Sequence, residues 1–88
     1  MSLNVTQAQN YTNLTSTTTV ASGPGGMFGI FVASASSTPT LKVTDGAATV
    51  VNTFTPVGAT FYTIPARFGT DLKVTVGGTV DCTVFWSP

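Results

Sequence analysis

Six formal charges and one thiol make up the reactive inventory of this 88-residue chain: Asp45, Asp71, Asp81, Lys42, Arg67, Lys73 and Cys82, with no histidine and no glutamate. General acid–base chemistry needs a group that titrates near neutral pH, or one shifted to do so. Asp71 and Asp81 flank Gly77-Gly78. On a hairpin turning there they would be cross-strand neighbours, and two suitably spaced carboxylates can support glycoside hydrolysis. Both fall on the polar side of alternating segments, near Lys73. A flat outer face has no cleft to exclude water, so solvated surface aspartates are the expectation. Cys82 alternates with Val80 and Val84, which predicts a buried thiol acting as a small hydrophobe. Its strand offers no base or cation to activate it. The chain holds 18 threonines, but a hydroxyl without a base is inert.

Metal and phosphate chemistry fare no better. One cysteine without histidine does not make a zinc site, and three dispersed aspartates, Asp45 among them in a turn, do not make a calcium loop. Gly23-Pro24-Gly25-Gly26 precedes neither a helix nor the Lys-Ser/Thr of a phosphate-binding loop. Asn4-Val5-Thr6, Asn10-Tyr11-Thr12 and Asn13-Leu14-Thr15 match the N-glycosylation pattern, as chance allows in so threonine-rich a chain. The inventory therefore predicts no enzyme, no cofactor, no metal and no small-molecule substrate.

Charged residues are 7% of the chain and the net charge is zero, against about 25% charged in typical soluble domains. Scattered Lys42, Arg67 and Lys73 do not form the clustered basic surface that displaces counterions from nucleic acid. No apolar run approaches the length of a membrane span. The opening MSLNVTQAQN has neither the basic start nor the apolar core of a signal peptide, so synthesis in a cytoplasm is expected. A 9.0 kDa chain is marginal alone unless disulfides, a metal or oligomerisation help. With one cysteine, oligomerisation or docking on a larger body remains.

Composition divides the chain near residue 20. Residues 1–19 read as an extended polar arm with one short strand near Thr17–Ser22, and residues 20–88 as the folded domain. Met27–Ala33 is apolar on both faces, as in a strand covered on both sides. Ser36–Pro39 reads as a break. Thr40–Asp45 alternates, and Asp45-Gly46 is a turn signal. Ala48–Phe54 and Ala59–Ile64 read as strands, the latter ended by Pro65 with a loop over Ala66–Thr70. Gly77-Gly78 reads as the tight link of a final hairpin between Asp71–Val76 and Thr79–Trp86. No helical period is present. About seven short antiparallel strands predict an all-β fold, a small β-sandwich or jelly-roll-like barrel. Its edges lack protective charge, which suits pairing with other chains. Leu3, Val5, Tyr11 and Leu14 of the arm, with Phe28, Ile30 and Tyr62, are the candidate contact residues toward copies or a larger partner. The remaining aromatics are expected mainly in the core.

Several strand-and-turn runs resemble small structural proteins of tailed bacteriophages. They are Gly29-Ile30-Phe31-Val32, Thr38-Pro39-Thr40-Leu41-Lys42-Val43-Thr44-Asp45-Gly46 and Thr53-Phe54-Thr55-Pro56. Phe61-Tyr62-Thr63-Ile64-Pro65, Phe68 and the run from Leu72 to Val84 complete the set, so residues 29–86 take part. The resemblance implies a β-sandwich virion component, some relatives being capsid decoration (cement) proteins, and implies no catalytic residues. On that reading the expected partners are the major capsid protein and sister copies, as a homotrimer or on another symmetric axis, and the expected location is the capsid surface. Alternatives are another virion part (head-fibre base, tail or adaptor) or a carbohydrate-binding β-sandwich, which would need exposed aromatics such as Tyr62 or Trp86.

Overall fold

The computed structural model describes residues 10–88. Among them are six strands and no helix: β1 (Asn10–Leu14), β2 (Thr18–Ser22), β3 (Gly25–Asp45), β4 (Ala48–Phe54), β5 (Thr60–Phe68) and β6 (Asp71–Ser87). All belong to one antiparallel sheet in which β3 and β6 pair along most of their length. The fold is all-β as expected, but with fewer and longer strands.

β3 has 21 residues and would run roughly 70 Å if straight, at about 3.3 Å per residue. It does not stay straight. Gly25, at its start, pairs with Phe68, while the next residue, Gly69, donates its N–H to the Asp45 carboxylate at its end (2.8 Å). The two ends of β3 therefore meet, and the sheet is folded into two layers. In one layer β1, the Cys82–Trp86 part of β6, the first half of β3 and β5 lie side by side. In the other lie β2, the Asp71–Val74 part of β6, the second half of β3 and β4.

Alternation decides what the layers bury, because successive strand side chains point to opposite faces. Along β6, Leu72, Val74, Val80, Cys82 and Val84 are each at most 1% exposed. They join Ile30, Val32, Leu41, Val43 and Phe68 in one core cluster drawn from both layers.

The corner lies at Gly77-Gly78, and here the structure overturns the expected final hairpin. Asp71–Val76 and Thr79–Trp86 do not pair with each other; they are successive parts of β6, both paired to β3. Opposite the corner, Ser36 pairs with Thr79 and Thr40 with Gly77, so Ser37-Thr38-Pro39 bulges against Gly78 alone. Ser37 and Thr38 have φ of 60° and 58°, and Gly78 has 69°. A β-bulge of this kind bends a strand without ending it, which is why Ser36–Pro39 is not a break. Pro65 does not end β5 either. That strand flanks β3 only, and an edge strand tolerates a residue without an N–H.

The arm reading also changes. Asn10–Leu14 is a strand paired with Cys82–Trp86 of the same chain. The Asn13 amide Nδ2 donates to Asp81 Oδ1 (2.9 Å) and the Cys82 carbonyl (3.0 Å), and Trp86 Nε1 donates to Thr12 Oγ1 (3.2 Å). Backbone pairing and these side-chain bonds offset the ordering entropy that composition alone does not cover. β2 lies where the short strand near Thr17–Ser22 was expected, and pairs with the opposite half of β6.

Asp45 fastens the closure. Its carboxylate accepts the N–H groups of Gly69, Thr70 and Asp71. The bond from Gly69, then that from Thr70, holds its pKa below the ordinary 3.8. Because the folded state favours the charged form, the contribution is complete above the unfolded value and disappears as pH falls through the lower folded value. Asp45→Asn should therefore be less stable than wild type at pH 6, and the gap should close as pH falls through the lowered folded value. Urea midpoints measured from pH 6 to 2 check this; parallel curves would contradict it.

Candidate functional site

Among the described residues no charged or polar residue is buried inside the folded sheet, so the candidate features lie on its outside. The two carboxylates weighed for hydrolysis are not neighbours: they lie on either side of the corner in one continuous strand. Asp71 sits opposite Ser22 on β2 and accepts the Gly46 N–H. Asp81 lies past the corner, opposite Ser34, bonded to Asn13. No group of three or more acidic or cysteine side chains among the described residues is placed to hold a metal ion.

Cys82 is 1% exposed. Burial, with a smaller contribution from the Asp81 charge, pushes its thiol up to about 11. A thiol rather than thiolate form is a poor nucleophile. Cys82 should resist a thiol-specific reagent at pH 8 in the folded protein and react fully in denaturant; equal rates in both would contradict its place in the core.

A shallow groove of about 520 Å³ lies between Pro24-Gly25-Gly26, Ala66-Arg67 and the terminal Ser87-Pro88. Arg67 is its one charged side chain, and no histidine, cysteine or acidic side chain lines it.

The outer face of the first layer is of a different character. Phe31 pairs directly with Phe61, Tyr11 with Phe85, and the Phe61 and Phe85 rings lie 6.1 Å apart at 54°. Gly29 makes this possible. A Cβ there would fall 2.5 Å from the Phe61 ring, so the glycine leaves room for Phe61 to lean across the strand toward Phe85. Tyr11 is 75% exposed, Phe61 48% and Phe31 39%. The result is an aromatic strip across four strands, which holds three of the four exposed large hydrophobics among the described residues. Surface patches of this kind mark contact sites more often than scattered single residues do.

The expected contact residues divide differently. Leu14, at 4% exposure, and Ile30, at 0%, lie in the chain's own core. Their even positions put them on the inner face, so they are not free to meet a partner. Tyr62 is half-buried and committed internally: its ring packs edge-on against Phe54 at 5.2 Å and its hydroxyl accepts the Val57 N–H. Phe28 is half-buried at the bulge where pairing shifts between Met27 and Gly29. Tyr11 is exposed. Leu3 and Val5 lie outside the described residues. Phe31, Phe61 and Phe85 were missed as contact residues because aromatics were assigned mainly to the core. Their odd numbering, shared with Thr63, Thr83 and Asp81, was the available signal.

No protein-family model matches the chain, and neither does any curated protein or solved structure.

Proposed function

We propose that the chain is a structural protein of a tailed-phage virion, of the capsid decoration type. It binds the outer capsid surface, meets copies of itself on a symmetry axis, and strengthens the contacts between capsomers. The observation that carries this reading is the state of the sheet edges. Of the four strands that leave one side unpaired among the described residues, β1, β2 and β4 contain neither a charge nor a proline, and β5 alone carries Pro65 and Arg67. Edge strands of freely soluble proteins are usually blunted by such residues, because an open edge is a template for another strand. Edges left open in a nearly charge-free protein suit strand addition by a neighbour. Low charge also lowers the desolvation cost of broad contact.

The resemblance of residues 29–86 to small phage structural proteins supports the same reading. Its mechanism is mechanical: each bound copy adds buried area between capsomers and resists internal DNA pressure. Capsids carrying the protein should retain DNA to a higher temperature than capsids stripped of it. Identical release temperatures would overturn the cement role. The carbohydrate-binding alternative has its aromatic row, but Phe61 and Phe85 lie at 54° to each other, and the Asn13 amide beside them is already bonded to Asp81 and Cys82. Tilted rings suit an apolar protein surface better than a sugar plane.

A further inference from the structure

We propose that the aromatic outer face is where two copies of this chain meet, on a two-fold axis lying across the strands. The inference deepens the reading above, resting on its self-association and not on its shell.

Alternation puts Tyr11, Phe31, Phe61 and Phe85 on one outer face. The same face carries one cation and one carboxylate, at opposite ends. Arg67 is exposed on β5 in the same alternation as Phe61, level with Ser87 through their shared partner Gly26. Asp81 lies six positions earlier on β6, about 20 Å away along the strand. The aromatic strip lies between them. A two-fold axis in the plane of contact, midway between Arg67 and Asp81, lays strip on strip and brings each Arg67 against the other copy's Asp81. An isologous contact requires this self-complementarity; a face with both ends of one sign would repel its copy.

Size sets the strength. Four strands at about 4.8 Å spacing and roughly 20 Å of length give a footprint on the order of 400 Å² per copy. That is the small end of specific interfaces. The dimer should therefore be weak and concentration-dependent in solution, and held on a larger body by multiple attachment.

Sedimentation equilibrium of the full chain from 5 to 500 µM tests the proposal. The expected result is a reversible monomer–dimer equilibrium. Tyr11→Ser with Phe61→Ser removes four aromatic contacts from a symmetric interface and should weaken dimerisation about 100-fold or more, with the thermal unfolding transition retained. Because those changes could loosen β1, a charge exchange supplies an independent measurement. Arg67→Asp or Asp81→Arg alone should weaken the dimer, and the two together should restore it. A monomer throughout, a trimer, a dimer indifferent to the aromatic changes, or failure of the exchange to restore association would each overturn the two-fold face. Binding to purified capsids, measured on the same samples, separates this from the shell reading: a monomer that binds capsids sinks only the dimer, and a dimer that ignores them sinks only the shell.

Discussion

Replacing Gly78 with valine should lower the urea unfolding midpoint sharply, by more than any other change at the corner. Gly78 sits at φ 69°, a conformation that costs an L-residue about 1–2 kcal/mol, and more when the residue is β-branched. Space is also lacking. A Cβ at Gly78 would stand 2.5 Å from the Ser37 carbonyl oxygen and 2.6 Å from that of Thr38. Those carbonyls belong to the bulge that turns the corner, so relief requires opening the β3–β6 pairing where the two layers join. The expected loss exceeds about 3 kcal/mol, against a total stability of roughly 4–13 kcal/mol for a chain of this length. The opposite sign is expected nearby. Thr38 is itself β-branched at φ 58°, and Thr38→Gly should cost nothing or gain up to about 1 kcal/mol. Urea unfolding followed by Trp86 fluorescence measures both. A Gly78→Val midpoint equal to wild type would contradict the corner.

Phe68→Ala is the second large effect. Phe68 is the largest fully buried side chain. It ends β5 and lies against Gly25, where an added Cβ would stand 2.6 Å from its ring. It is thus the plug at the point where the start of β3, the end of β5 and the Asp45 clamp come together. Truncating a buried phenylalanine costs about 3–5 kcal/mol through lost transfer energy and the cavity left behind. Phe68→Leu keeps most of the volume and should cost less than about 1.5 kcal/mol. Near-equal midpoints for the two variants would mean that the site is not closely packed.

The inner face was legible from alternation alone. Leu72, Val74 and Val76, then Val80, Cys82, Val84 and Trp86, read as one apolar set, and their side chains are buried or packed on the core. β4, β2 and the Asp45-Gly46 turn were legible for similar local reasons. The corner was misread because Gly-Gly between two alternating segments is the same short-range signal for a hairpin and for a bend. The sequence nevertheless contained a discriminator. A two-residue hairpin would set Val76 opposite Thr79 and Val74 opposite Asp81, placing valines beside polar groups on one face. An unbroken strand keeps every even position on one side, and that is what forms. The identity of opposite residues across β3 depends on its bulges, which shift inward positions from even to odd between Val32 and Leu41. Nothing local encodes that shift, so neither the meeting of the ends of β3 nor the aromatic strip across four strands could be assembled beforehand. Assigning Leu14 and Ile30 to a contact surface failed for the same reason: an apolar residue in a polar or doubly apolar segment does not declare its face until its partner strand is known.

The central claim is that this protein works by occupying a shell in many symmetric copies rather than by chemistry. Symmetry-averaged imaging of intact virions containing the protein tests it most directly. Density fitting the folded sheet is expected on the outside of the capsid, repeated at equivalent capsomer positions in hundreds of copies. Density confined to a tail or portal site in six or twelve copies, or no density on the particle, would contradict it.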